Sequence, residues 1–143
     1  MFRRALLPGL IGLAWLAGSP SIAVAEEVPR AGYVAEHERI DAEYSVAKER
    51  CDRYAGNAKE VCVAEARATR RIAKTESEAR YKATPKAWYD ARAARAEAEF
   101  EVARERCGER ARDEKDVCLA EARAAESRAK AEAKLARQQA EGH

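Results

Sequence analysis

Two copies of one cysteine-bounded stretch decide the fold: the chain reads CDRYAGNAKEVC at residues 51–62 and CGERARDEKDVC at residues 107–118. Each stretch has ten residues between its cysteines, and together they hold all four cysteines of the 143-residue chain. In the first copy, Gly56 suits the left-handed conformation that ends a helix. Asn57 is a good N-cap, and Glu60 three residues later completes a capping box. The pattern predicts a helix, a turn at Gly56-Asn57 and a second helix.

The similarity between the two copies extends beyond the cysteines. Residues 41–68 and residues 97–124 are identical at 16 of 28 positions, with a constant offset of 56. Such identity indicates an internal duplication. The second copy has Arg112 in place of the turn glycine, although Asp113 still offers an N-cap with Asp116 three residues later. The second copy is therefore predicted either to turn at Arg112-Asp113 or to continue as one long helix.

From Glu26 onward the composition is that of a helical chain with a small core. Only twelve of these 118 residues are Leu, Ile, Val or Phe, whereas the helix formers Ala, Glu, Lys and Arg dominate. So little apolar surface places the chain near the boundary of disorder, and covalent cross-links would offset this. We predict an all-α fold of two tandem helical hairpins, about four helices with coiled-coil-like character, each hairpin closed by a disulfide.

Periodicity and helix breakers predict the boundaries. Apolar residues at three- and four-residue steps predict a helix from Tyr33 to about Tyr54, and a second helix runs from Ala58 to about Lys82. The residue before Pro85 is pushed out of the helical region, and Pro85 can open the next helix. We predict a disordered lead-in at residues 26–32, helical repeats at residues 33–84 and 85–140, and a tail at residues 141–143.

The cysteines are predicted to form two disulfides, and each pair is centred on its predicted turn. In a tight hairpin Cys51 faces Cys62, and Cys107 faces Cys118, which is the pairing we favour. Were each block one continuous helix, cysteines eleven residues apart would lie about 16 Å apart. The pairs Cys51–Cys118 and Cys62–Cys107 would then bridge two helices instead. Free thiols or bound metal are the remaining alternative, although zinc sites usually have about two to four residues between paired cysteines.

The first 25 residues contain the three parts of a secretory signal peptide. Arg3 and Arg4 give a positive start, an apolar run follows from Ala5 to Gly18, and Ala23-Val24-Ala25 forms an A-x-A site. This run is shorter than the roughly 20 residues that span a bilayer. We predict cleavage after Ala25, a mature chain without a transmembrane segment, and a location in the bacterial periplasm or outside the cell.

Charge and side-chain chemistry argue against several classes of function. Removal of residues 1–25 leaves 25 bases and 25 acids, so the mature chain is neutral and no nucleic-acid binding is predicted. The two histidines are His37, predicted to face solvent on a charged helix, and His143, the last residue. Neither lies near a nucleophile in the sequence. We predict no enzymatic activity, no cofactor and no metal site.

The repeat carries the segments AKERC and GNAKEVCVAEA. In these it resembles small exported proteins of proteobacteria that have paired C-x10-C blocks. The resemblance covers roughly residues 33–137. Such proteins are sometimes labelled TolA-like because they are rich in Ala, Lys and Glu. The resemblance implies a periplasmic location and supplies no mechanism.

Together, these features predict a non-enzymatic exported helical protein with a structural or protein-binding role. Its partner would be another protein or a component of the cell wall. One alternative is a periplasmic thiol-based protein that binds metal or carries out redox chemistry. A second alternative is a helical envelope component that forms homo-oligomers through its alanine-rich faces.

Overall fold

The computed structural model describes residues 30–142, which are almost entirely helical. No strand occurs among these residues, and the predicted all-α class is confirmed. The predicted signal peptide and its cleavage after Ala25 lie outside the described residues. The helices are α1 (Arg30–Cys51), α2 (Gly56–Lys82), α3 (Pro85–Arg106) and α4 (Arg112–Glu141), with a short 3-10 helix (Cys107–Glu109) between α3 and α4.

The four helices form an open row in which each helix packs against its neighbours in sequence. Helix α2 packs against α1 and α3, and α3 packs against α2 and α4. Within residues 30–142, helices that are not consecutive share no extensive contact. In a closed four-helix bundle the first and last helices would also pack into the common core. In this row, α1 and α4 each have one covered face and one open face.

Small side chains fill the contact between α2 and α3. Alanine lets two helices approach near the lower end of the usual axis separation, about 8–10 Å. Each alanine also buries little apolar area, so the core is small for the size of the molecule. The two buried clusters are Ala68 with Ala98 and Val102, and Ala79 with Ala87 and Ala91.

Ion pairs border this alanine contact, and each joins a base on one helix to an acid on the other. They are half-exposed, so each contributes no more than about 1 kcal/mol. Their geometry nevertheless fixes how α2 and α3 are aligned along their axes. The pairs are Arg71 with Glu97 and Glu101, Arg95 with Glu76, and Arg106 with Glu65.

The connection between α2 and α3 follows the prediction at Thr84-Pro85. Ala83 takes the left-handed conformation with φ 50° and ends α2 after Lys82. The side chain of Thr84 accepts a hydrogen bond from the backbone N–H of Ala87 at 3.1 Å, which caps α3. Pro85 is the first residue of α3, where its missing N–H is not needed.

The ends of the described chain differ from the prediction. Helix α1 begins at Arg30, so residues 30–32 are helical and not part of a disordered lead-in. Helix α4 continues to Glu141, one residue into the predicted tail. The end of α4 packs against α3, where the guanidinium of Arg137 lies 5.6 Å from the ring centroid of Tyr89. Ala133 is only 2% exposed, which shows that this part of α4 is packed.

Candidate functional site: the disulfide-closed end of the row

Both favoured disulfides are present, and each closes one hairpin. Cys51–Cys62 joins the end of α1 to the start of α2 with a Cα–Cα distance of 5.6 Å. Cys107–Cys118 joins the end of α3 to the start of α4 with a Cα–Cα distance of 5.8 Å. Both distances lie within the usual range of about 4.4–6.8 Å. All four cysteines are described and none is free, so the cross-repeat pairing and the free-thiol alternative do not describe this structure.

Each disulfide is a large contribution to the stability of a chain with so small a core. Closing a short loop of this kind removes unfolded-state entropy worth about 3 kcal/mol. A domain is typically stable by only about 5–15 kcal/mol in total. Loss of either disulfide is therefore expected to remove a large share of the stability.

The first turn reverses the chain at Gly56, as predicted, but the capping differs. Gly56 has φ 55° and is the first residue of α2, which thus begins two residues earlier than predicted. The N-cap is Ala55, and it makes no side-chain hydrogen bond. The predicted capping box of Asn57 and Glu60 is therefore wrong. Asn57 occupies the second position of the helix, where its side chain is directed to another helix.

The second turn uses a different backbone path. The chain passes through the 3-10 helix, in which the N–H of Arg110 bonds to the carbonyl of Cys107 at 3.2 Å. Helix α4 then starts at Arg112 with Ala111 as N-cap and no side-chain cap. The predicted cap at Asp113 with Asp116 is wrong, because Asp113 is the second residue of the helix. The continuous-helix alternative is also wrong, since the chain turns before Arg112.

A hydrogen bond joins the two disulfide-closed turns. The Asn57 side-chain amide donates to the backbone carbonyl of Glu105, near the end of α3, at 2.8 Å. Gly108 lies directly beside this amide, since a Cβ at Gly108 would be 2.5 Å from Asn57 Nδ2. The absence of a side chain at Gly108 therefore leaves room for the Asn57 amide. This contact lies between residues 48 positions apart, and no local sequence pattern reveals it.

An open groove of about 530 Å³ lies beside these turns, mainly along α2. Two bases and two acids border it, with Val63 and Ala64 between them. Lys59 also pairs with Asp52 across the first turn at 2.9 Å, and this hydrogen bond lowers the pKa of Asp52. Such a surface suits a polar partner that offers both donors and acceptors. The bordering charges belong to Lys59, Arg67, Glu60 and Glu105.

The opposite end of the first hairpin contains an aromatic stack. Tyr33 stacks on Tyr81 with ring centroids 4.6 Å apart, and His37 lies against Tyr33 at 4.3 Å. His37 is half-buried, and its Nε2 is buried with no hydrogen-bond partner in the described chain. The prediction that His37 faces solvent is therefore wrong. His37 lies one turn after Tyr33 on the same face of α1, and this spacing could have predicted that His37 is partly buried.

Two carboxylates with lowered pKa values form ion pairs between neighbouring helices. A hydrogen bond from Lys74, with a second from Arg70, lowers the pKa of Asp41. At the position 56 residues later, a hydrogen bond from Lys130 lowers the pKa of Glu97. The Nζ–carboxylate distances are 2.7 Å for Lys74 and 2.9 Å for Lys130. The same stabilising contact thus occurs in both hairpins.

Glu36 is another carboxylate used for structure. It accepts a hydrogen bond from the buried hydroxyl of Ser77 at 2.9 Å, and it pairs with Arg80 at 2.7 Å. The Ser77 hydrogen bond lowers the pKa of Glu36, with a further contribution from the charge of Arg80. The Ser77 hydroxyl is thereby committed to a link between α1 and α2.

Within residues 30–142, no group of three or more His, Cys, Asp and Glu side chains is arranged to hold a metal ion. None of the described helices combines the length and apolar character needed to cross a membrane. Comparison of the chain with protein-family models, with curated proteins and with solved structures gave no match.

Proposed function

We propose that this protein is a non-enzymatic, exported helical protein with a structural or protein-binding role in the bacterial periplasm or outside the cell. The observation that carries the proposal is the pair of disulfides, one in each hairpin. Structural disulfides persist in oxidising compartments and are rare in the reducing cytosol. The signal-peptide pattern of residues 1–25 supports the same compartment.

The uses of the polar side chains support a non-enzymatic role. Every clear pKa shift among the described groups favours the charged form, because each such group is paired with an opposite charge or hydrogen-bonded in that form. A general acid or base instead needs a pKa close to the working pH. Ser77 and His37, two side chains that often serve in catalysis, are held in the contact between α1 and α2.

The groove beside the disulfide-closed turns is where we place the partner, a protein or a component of the cell wall. The disulfides hold the helix ends that flank the groove, so binding there would require little ordering of the site. Its mixed charges favour a partner with both signs of charge or many hydrogen-bonding groups. Lys59 and Arg67 on one helix and Glu105 on the next give the groove residues from both hairpins.

Fractionation and intact mass test the proposal. The complete 143-residue chain is produced in a bacterial host, and the periplasmic fraction is analysed without reduction. We expect a species of residues 26–143 with a mass lower by four hydrogens than the fully reduced chain. As a control, Leu10→Arg interrupts the apolar run and should keep the chain in the cytoplasm. An uncleaved wild-type chain in the cytoplasm with four alkylatable thiols would contradict the proposal.

A crosslinking experiment tests the partner site. A photoreactive residue replaces Arg67 in the groove, and a matched chain carries it at Arg110, an exposed arginine outside the groove. Crosslinking to a defined envelope protein or to peptidoglycan from the groove position alone supports the assignment. Equal crosslinking from both positions, or none from either, argues against a partner site in this groove.

The thiol-based alternative is distinguished by the same mass measurement. A metal or redox protein must keep or readily regain free thiols. In the structure, Cys51 and Cys107 are fully buried, which restricts attack by an external thiolate. Retained thiols with bound metal in the periplasmic protein would favour this alternative over the structural role.

A further inference from the structure

The open faces of the two end helices carry exposed apolar side chains. On α1, Val46 is 48% exposed, and on α4, Val117 and Leu135 are 59% and 57% exposed. Val46 and Leu135 are the counterparts of Val102 and Ala79, which lie in the contact between α2 and α3.

The open face of α1 repeats the face by which α3 binds α2. Three buried alanines and one valine of α3 belong to the two clusters with α2, and two arginines of α3 pair with acids of α2. These six residues have counterparts 56 positions earlier, whereas the buried Ala94 and Ala96 of α3 correspond to Glu38 and Ile40. All six counterparts are the same residue type, and all six are exposed on α1. The same helix-packing face therefore occurs on both α1 and α3, but only the one on α3 is covered by another helix. The six are Ala31, Ala35, Arg39, Ala42, Val46 and Arg50.

The open face of α4 repeats much of the complementary face of α2. Ala64, Glu65, Ala68 and Glu76 of α2 correspond to Ala120, Glu121, Ala124 and Glu132 of α4. The two glutamates matter most, because Glu65 and Glu76 are the partners of Arg106 and Arg95 in the α2–α3 contact. Their counterparts Glu121 and Glu132 are exposed and form no ion pair within residues 30–142. Both acids are therefore available to a second molecule.

We propose that the open face of α4 binds the open face of α1 of a second copy of this chain, in the arrangement by which α2 binds α3. This inference rests on the proposed structural role and names the partner. In the contact, Glu121 pairs with Arg50 of the second copy, and Glu132 pairs with Arg39 of that copy. Val46 of the second copy packs against Ala124, as Val102 packs against Ala68.

The charges favour this pairing over symmetric ones. Contact between two α1 faces would bring Arg39 and Arg50 against the same arginines, and contact between two α4 faces would oppose Glu121 and Glu132 to themselves. Like charges across an interface disfavour association, whereas α4 against α1 joins opposite charges. Because the two faces differ, a pair of bound copies still has one free α1 face on one copy and one free α4 face on the other. Copies therefore add head to tail.

Three departures from strict repetition fit the same contact. Arg71 of α2 pairs with Glu101 of α3, and the counterparts of both residues are serines, Ser127 and Ser45. The arginine and the glutamate are thus both absent from the proposed contact, so neither leaves an unpaired charge there. Ile72 is replaced by Arg128. Ile72 lines a groove with Glu99, whose counterpart is Glu43, so Arg128 meets an acid of the second copy.

At another position, Leu135 of α4 replaces Ala79, which packs against Ala87 and Ala91. The counterparts Ala31 and Ala35 would receive the larger Leu135 side chain. This adds apolar area to the contact and widens the spacing of the two helices at that point.

Near the turns, Asp113 and Asp52 stand at the positions of Asn57 and Gly108. The proposed contact therefore lacks the hydrogen bond that Asn57 donates to the carbonyl of Glu105.

Sedimentation velocity tests the proposal with a matched pair of valines. Val34 and Val46 lie on the same helix and are 46% and 48% exposed, but the counterpart of Val34 is the exposed Asp90, outside the α2–α3 clusters. The oxidised protein, made from the complete sequence, is studied from about 10 µM to 1 mM. We expect its sedimentation coefficient to rise past that of a dimer. Val46→Lys should weaken association at least about tenfold, whereas Val34→Lys leaves it unchanged.

A charge exchange tests the direction of the contact. Arg50→Glu and Glu121→Arg should each weaken association, and an equimolar mixture of the two variants should restore it, because each then offers the face that the other needs. Arg110→Glu is the control and should have no effect, because Arg110 is exposed, lies outside the groove and forms no ion pair within the described residues. Circular dichroism verifies that each variant is folded.

The contradicting outcomes are distinct. A wild-type protein that stays monomeric to 1 mM, or association that Val46→Lys does not change, overturns the proposal. A dimer that does not grow, with no restoration in the mixture, shows a symmetric contact instead. If the protein is exported with both disulfides and stays monomeric, the proposed self-association is wrong but the proposed function is not contradicted. If the protein is cytoplasmic and keeps free thiols, the proposed function is wrong whether or not the protein associates.

Discussion

The two disulfide-closed turns occupy equivalent positions in the sequence and follow different backbone paths. The first turn depends on Gly56 with a positive φ of 55°, whereas the second passes through a 3-10 helix and reaches Arg112 with no positive φ. The Cα–Cα distances across the two disulfides are nonetheless 5.6 Å and 5.8 Å. The disulfide and the helix packing therefore set the geometry of each hairpin, and the turn residues adapt to it.

The largest expected effect comes from removing one disulfide at a time. We expect Cys51→Ala with Cys62→Ala, and Cys107→Ala with Cys118→Ala, each to lower the free energy of unfolding by about 3 kcal/mol, because the closed loops have equal length. Urea unfolding followed by circular dichroism measures both. If the turn residues determined the hairpins, the two losses would differ by more than about 1 kcal/mol, which is the usual size of a backbone effect.

The next effect separates the two glycines. Gly56→Ala should lower the free energy of unfolding by about 1–2 kcal/mol, because the left-handed conformation is strained for alanine, although no atom lies within 4 Å of the added Cβ. Gly108→Ala should lower it by about 1 kcal/mol, because the new Cβ displaces the Asn57 amide. In an Asn57→Ala background the Gly108→Ala effect should vanish while the Gly56→Ala effect persists. A double-mutant cycle that finds no coupling between residues 57 and 108 would contradict this assignment.

A smaller effect separates Asn57 from its counterpart Asp113. Both residues hold the second position of their helix, but the Asn57 side chain alone bonds across to α3. Asn57→Ala should lower the free energy of unfolding by about 1 kcal/mol. Asp113→Ala should lower it by a few tenths, roughly 0.3–0.5 kcal/mol, through the helix dipole. Equal losses in chemical unfolding would show that the bond to Glu105 adds little.

The smallest effect concerns acid. The pKa values of Asp41 and Glu97 are lowered from their ordinary values of 3.8 and 4.5 by Lys74 and Lys130 respectively. The unfolded chain therefore binds these protons more tightly, so the stabilisation is complete above those ordinary values and is lost as the pH falls through the lower folded values. Thermal unfolding between pH 2 and pH 7 should show this loss. Asp41→Asn and Glu97→Gln should each reduce the acid dependence, and an unchanged profile would argue against both pairs.

The sequence predicts the parts of this fold that depend on local chemistry. Thr84-Pro85 ends one helix and opens the next wherever it lies in the structure, because the restriction is built into the proline ring. The pairing of Cys51 with Cys62 follows from a turn midway between them. All-α structure follows from a chain dominated by Ala, Glu, Lys and Arg.

Features that depend on distant contacts were not predicted. Asn57 and Glu60 match a capping box in the sequence, but the Asn57 side-chain amide instead donates a hydrogen bond to the carbonyl of Glu105, 48 residues away. The groove beside the turns combines residues from α2 and α3, so periodicity within one helix does not show it. The sequence also does not distinguish an open row from a closed bundle, because both need an amphipathic face on α1 and on α4. Alanine tolerates both burial and exposure, so an alanine-rich face does not show which of the two architectures forms.

The open row also determines the order in which the chain can fold. Among residues 30–142, every extensive contact joins helices that are consecutive in sequence, so this part of the chain needs no long loop to close before it is stabilised. Cys62 follows Cys51 by eleven residues, whereas Cys107 follows Cys62 by 45. In a chain that emerges with its N-terminus first, Cys51 meets its native partner Cys62 before Cys107 appears, and once that disulfide has formed Cys107 finds only Cys118 free. We therefore expect the first disulfide to form before the second hairpin is complete, and folding should be fast, as it is for other proteins of low contact order.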